Sequence, residues 1–323
     1  MRSFCAFVSS KEIRSSSAGD RGPQRNQKHM AYALPRGKPL SKSVGKIVKR
    51  CLYRAKCAMG GKSPDPKEPP VFTARKEIKK LRALLRILGK TGHKKLCRQQ
   101  TKRLRAAAAC LGPGRDDAVQ RAAAENLLQK PRRSHSSSTR EVPSAGKAAA
   151  FVRGSHPKRA IRNLKCVGRE LGEIDFDFVT EEGFVAGVKA IYERGRERFQ
   201  LAQSSSSART LHRWRRDVKD LWYAWRLIEP WNSRRVGPLL RSAHRLGRAL
   251  GEHHDLAELE TRVDELLPQW SLPERKEVAR RAWLRERSLH QSALRVGKSV
   301  YRATPKKLEV KLKACFQARE KQG

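Results

Sequence analysis

The chain has 323 residues, with 73 Lys and Arg against 31 Asp and Glu. Its formal net charge of +42 runs along the whole length, a balance that asks for a polyanionic partner. No stretch approaches the roughly 18 consecutive apolar residues of a membrane span, and the apolar run around Phe4 to Val8 is too brief for a secretory leader. The seven cysteines are odd in number and contain no Cys-x-x-Cys pair, which argues against a zinc site and a disulfide scaffold and for reduced thiols in a cytoplasmic protein.

Residues 1–29 are rich in Arg, Ser, Gly and Gln and read as a disordered arm; an organised region of residues 30–323 follows. Gly60, Gly61, Pro64, Pro66, Pro69 and Pro70 form a first breaker cluster, and Gly112, Pro113 and Gly114 a second. A Ser-rich stretch at 134–146 is the best linker candidate, and Ser204 to Ser207 make a further break. Pro230, Pro238, Pro268, Pro273 and Pro305 mark ends or first turns of helices. Between breaks the patterning is helical, and the hairpin signals of alternating β-branched residues around Asn-Gly or Asp-Gly are missing, so the expected fold is all α.

The predicted helix near 71–90 carries two stripes. Ile78, Leu81, Leu85 and Leu88 have the spacing of a buried seam, widened by Leu84. Arg75, Lys79, Arg82 and Arg86 use the same spacing on a neighbouring face, a basic stripe roughly 16 Å long. The pattern recurs. Arg75, Lys79, Leu81 and Arg86 match Arg215, Lys219, Leu221 and Arg226 at an offset of 140, with Val218, Leu221, Trp225 and Ile228 as the second seam and His212 and Trp222 joining the second stripe. Leu111, Gly112, Asp116 and Ala118 match Leu250, Gly251, Asp255 and Ala257 at an offset of 139. Two motifs in one register imply an internal duplication, two helical lobes about a pseudo-twofold axis. The first lobe is expected from about 30–133 plus 147–203 and the second from 208–323.

Like charges at helical spacing cost about 0.2–0.5 kcal/mol per pair. Two single-signed stripes therefore point to a bound anion more than to a solvated face. Lys102 and Arg105 stand before the first Leu-Gly motif as Arg241 and His244 stand before the second, and Arg216 adds to the second stripe. Four basic helices would then line one groove or channel. Asp116 and Asp255 each follow a Gly turn and read as helix caps. The His253, His254, Asp255 cluster lacks a ligand spacing such as His-x-x-x-His, so no metal is expected. No nucleophile elbow, Walker loop or Rossmann fingerprint is present, and neither catalytic residues nor a cofactor are expected.

Val71 to Arg82, Leu211 to Tyr223, Leu250 to Leu256, and the late Gly297, Tyr301 and Pro305 together resemble the CHAD domain, the conserved histidine α-helical domain, over roughly residues 30–320. The resemblance implies two helical bundles around a basic channel that binds inorganic polyphosphate, and association with polyphosphate granules. It also implies a stand-alone binder, because the acidic motif of the triphosphatase domain fused to some family members is missing here. The family's first-motif histidine falls on Phe72, whereas its partner is kept as His212. Two other functions compete. One is general RNA or DNA backbone binding, with Trp214, Trp222 and Tyr223 as stacking candidates. The other is a metal- or phosphohistidine-dependent phosphate enzyme using His212, His244, His253 or His254.

Overall fold

In the computed structural model, residues 32–61, 68–111, 114–128 and 156–320 are described, and every regular element among them is helical. The arm at 1–29 and the Ser-rich linker at 134–146 lie outside the described residues. Helix α1 spans Leu40–Met59, α2 Pro70–Leu88, α3 Lys94–Ala109, α4 Gly114–Leu128 and α5 Pro157–Gly172. Then come α6 (Glu181–Ser204), α7 (Ala208–Ile228), α8 (Ser233–Leu266), α9 (Leu272–Val300) and α10 (Pro305–Glu320).

Local chemistry sets most boundaries. Pro70 occupies the first turn of α2, where a backbone N–H has no partner to lose, and Gly89 closes its end. The Ser204–Ser207 break separates α6 from α7, and the Ser207 side chain caps α7 by accepting from the Thr210 N–H. Ser271 and Glu274 form a reciprocal capping box at α9.

Both apolar seams are buried. Ile78, Leu81, Leu84, Leu85 and Leu88 of α2, and Val218, Leu221, Trp225 and Ile228 of α7, belong to one large core. Phe184 of α6, Trp231 and Phe316 fill its centre with ring centroids 4.3–6.1 Å apart. Residues from Tyr32 onward form one compact unit. A smaller second core joins α4, the C-terminal half of α8 and α9 through Ala124, Leu256, Leu259, Val278 and Leu289.

Three expectations are corrected. The Leu250-Gly251 motif is not a turn, because α8 runs unbroken for 34 residues, about 51 Å. Leu246, Leu250, Leu256 and Leu259 keep its apolar face buried through Gly251, and burial on that scale outweighs the ~1 kcal/mol that a mid-helix Gly costs. Asp255 therefore lies inside α8 and caps nothing; the Asp116 side chain lies outside the described residues. Pro238, expected at a helix end or first turn, sits inside α8.

The packing brings the two basic helices together. α2 packs on α1, α3, α6 and α7, and α7 packs on α6, α8 and α2. A Cβ at Gly187 of α6 would stand 2.4 Å from the Ile87 carbonyl oxygen of α2, so the missing side chain is what lets these backbones touch.

Candidate functional site

Charge gathers where α2, α6 and α7 meet. Arg82 and Arg86 come from the α2 stripe, Arg216 from α7, Arg105 from α3 and Arg194 from α6. Two buried carboxylates, Asp217 and Asp220, lie among them on α7. Arg86 Nη1 donates to Asp220 Oδ1 at 2.6 Å, and Arg194 Nε stands 3.6 Å from Asp217 Oδ1. The Arg216 Nε lies 4.0 Å from the same Asp217 oxygen.

The arginines outnumber the carboxylates, and their donors are not all satisfied. Arg82 Nε, Arg86 Nη2, Arg194 Nη2 and Arg198 Nε are withdrawn from solvent without a hydrogen-bond partner, as is Asp220 Oδ2. Burial, followed by the neighbouring Arg86 charge, pulls the Arg82 guanidinium down to about 10. Burial also lowers Arg86, against the pull of Asp220. Asp220 is pushed up to about 6, by burial first, with Asp217 adding repulsion and Arg86, Arg194 and Arg82 opposing.

A second cluster continues along α7 onto α8. Trp222 stacks on His244 at 5.2 Å, while Lys219 Nζ and the Arg226 guanidinium lie 5.6 and 5.1 Å from its ring centre. Arg226 also sits over Tyr32, whose hydroxyl donates to the Lys80 carbonyl oxygen. Arg215 approaches Asp255 at 3.7 Å, so that residue partners a basic side chain. His212 meets His254 edge to face at 5.1 Å. Lys219, His244 and His212 are all lowered by burial first, and then by neighbouring positive groups: Arg215 for Lys219, Lys219 and Arg248 for His244, and His254 and Arg215 for His212.

Of the sequence-predicted residues, Arg82, Arg86, Arg105 and Arg216 share the first cluster, and His212, Arg215, Lys219, Arg226 and His244 the second. Arg75 is half-buried and Lys79 exposed toward the start of α2; Lys102 on α3 and Arg241 on α8 are exposed. Phe72, where the resemblance expects a histidine, has the Lys76 ammonium 5.6 Å from its ring centre. Sequence reasoning missed Arg194, Arg198, Asp217 and Asp220. The stripes are accordingly not single-signed where they meet, since buried carboxylates neutralise part of the charge.

His253 and His290 form a further pair, with ring centroids 5.9 Å apart. His253 is buried with Nε2 3.2 Å from Glu286, in a cavity of about 220 Å³ that also involves His290 and Trp283. Burial pulls His253 down to about 4. Among the described residues no three His, Cys, Asp or Glu side chains converge as a metal site. The described cysteines are free thiols, and no described helix is long and apolar enough to cross a membrane.

An all-helical chain whose two basic motif helices meet over buried arginines defines the class. The sequence model of the CHAD domain matches residues 64–264, more than half of the chain, and the chain belongs to the CHAD domain family. No curated protein and no solved structure matches the chain.

Proposed function

We propose that this protein binds inorganic polyphosphate, without turning it over, on the face built by α2, α6, α7 and α8. The observation that carries the reading is the set of buried guanidinium N–H groups on Arg82, Arg86 and Arg194 with no acceptor among the described residues. Each unmade buried hydrogen bond costs about 1–3 kcal/mol. Phosphoryl oxygens are charged acceptors whose spacing suits a guanidinium fork. The lowered Arg82, Lys219 and His244 give the same direction, since crowded cations gain most from an incoming anion.

We also read the fold as two copies of one helical unit. Ile228, the last residue of α7, lies 140 positions after Leu88, the last of α2, and the start of α8 lies 139 positions after the start of α3. The first copy is broken between α3 and α4 where the second runs straight through α8. This supports a pseudo-twofold arrangement in which the two stripes face one polymer. Association with polyphosphate granules belongs to the same proposal.

The burial of aromatics favours polyphosphate over nucleic acid. Trp214 and Tyr223 are buried in the core, and the Trp222 ring is engaged by His244, Lys219 and Arg226. On this face, therefore, little aromatic surface is left for base stacking, the main source of affinity for single strands beyond charge, and the exposed Tyr53 and Trp283 belong to α1 and α9. His212 and His244 act in this reading as two phosphate donors among many.

A chain carrying Arg82→Gln, which breaks no ion pair of the described residues, tests the proposal. Charge-assisted hydrogen bonds are worth about 1.5–3 kcal/mol, so affinity for long-chain polyphosphate falls about tenfold to a hundredfold with the thermal midpoint held. Unchanged affinity would place the polymer elsewhere.

A further inference from the structure

Asp217 and Asp220 stand one turn apart on α7, 2% and 5% exposed, inside the cluster just assigned to a polyanion. A site that only had to attract phosphate would gain by leaving them out. Asp220 Oδ1 holds Arg86 at 2.6 Å, while Oδ2 is buried and has no hydrogen-bond partner. That second oxygen shares the cluster with the partnerless nitrogens of Arg82, Arg86 and Arg194.

We propose that polyphosphate binding at this face is coupled to the uptake of one proton by the Asp220 carboxylate. The inference rests on the polyphosphate reading and names how the bound anion is accommodated. Phosphoryl oxygens reaching the free donors of Arg82, Arg86 and Arg194 bring negative charge beside a buried carboxylate, and like charges in one buried site do not both persist. A proton from solvent bonds to Oδ2, and the carboxylate becomes a neutral acid. Oδ1 still accepts from Arg86, and the new O–H is a donor for the anion. The hydronium ion that supplies the proton breaks its own O–H bond and leaves as water, and the protein gains one positive charge.

Groups around Asp220 decide where the step falls. From α2 it faces Arg86 and Arg82, and from α6 Arg194. On α7 its charged neighbour is Asp217, with Arg216 beyond it. The Tyr32 and Tyr223 hydroxyls also feel its charge, and burial holds both protonated. With the carboxyl already pushed up to about 6 in the unliganded chain, a modest further rise brings it to neutrality. By linkage, a proton taken up on binding tightens the complex as pH falls, by up to about tenfold per pH unit for one proton.

His212 and His244 flank the same anion and take up protons of their own, so the test is made with both changed to Gln in the full-length chain. Long-chain inorganic polyphosphate is the probe, because its internal phosphoryl groups do not titrate in this range. Calorimetry in two buffers of different ionisation enthalpy counts protons between pH 5.5 and 7.5, with Asp220 present and with Asp220→Asn. The proposal predicts a larger proton uptake and a steeper loss of affinity with rising pH when Asp220 is present. A second readout needs no variant: the infrared difference spectrum of the unsubstituted chain gains a protonated-carboxyl C=O band when polyphosphate is added.

Equal proton counts in the two chains, or no such band, with polyphosphate still bound, overturn the coupling and leave the binding face standing. No binding by the unsubstituted chain at any pH removes the polyphosphate reading itself, and the coupling with it.

Discussion

Phe72 shows how one side chain tunes a face made of many. It is half-buried on α2 and offers its ring to the Lys76 ammonium; in the proposed two-copy reading His212 of α7 is its counterpart at an offset of 140. A histidine there, with an ordinary pKa near 6.5, is mostly charged at pH 5.5 and mostly neutral at pH 8. Phe72→His should therefore tighten polyphosphate binding several-fold at pH 5.5 and leave it nearly unchanged at pH 8, as read by a binding titration at both values. An equal gain at both pH values would mean that the change acts by reshaping the helix and not by charge. The basic residues of the stripes were legible because they repeat with the helical period. Asp217 and Asp220 were not, because their role exists only across space. Asp220 meets Arg86 from 134 positions away, and nothing in the local pattern of α7 distinguishes a buried counter-charge from an exposed one.

Within α6, Gly187, Arg194 and Arg198 lie seven and eleven residues apart on one helical face. Gly187 lays that face on the α2 backbone at Ile87, and the same face presents the two arginines. This spacing was the available signal for Arg194 and Arg198, but Glu193 and Glu197 interrupt the positive charge there, so no single-signed stripe marks the helix. A methyl group at Gly187 has backbone for a neighbour and must push the helices apart. Gly187→Ala should destabilise the fold by about 1–3 kcal/mol, as expected for overpacking, and weaken polyphosphate binding as well, measured by denaturant midpoint and titration on the same chain. Lost stability with unchanged affinity would separate α6 from the site. The seams of α2 and α7 were readable because burial follows the helical period. The supposed Leu250-Gly251 turn misled because a lone glycine carries no information about the burial on either side of it.

At the scale of the molecule, +42 guarantees attraction to any polyanion at low salt, so binding alone says little. The face of α2, α6, α7 and α8 is distinguished by local features: buried donors without acceptors among the described residues, and aromatic rings already engaged there. The first favours densely charged phosphate, and the second removes the stacking that would favour RNA. The all-α class was legible from breakers and helical patterning, and the family from the resemblance carried by Val71 to Arg82, Leu211 to Tyr223 and Leu250 to Leu256. The close contact of α2, α6 and α7 was not, because it depends on which faces pair. The most direct test is a competition at about 0.15 M salt, where the Debye length of ~8 Å screens diffuse surface attraction. Labelled long-chain polyphosphate on the full-length protein is challenged with unlabelled polyphosphate, single-stranded RNA or duplex DNA at matched phosphate concentration. The account predicts efficient displacement by polyphosphate and weak displacement by either nucleic acid; equal displacement by RNA would contradict it and make the face a general anion binder.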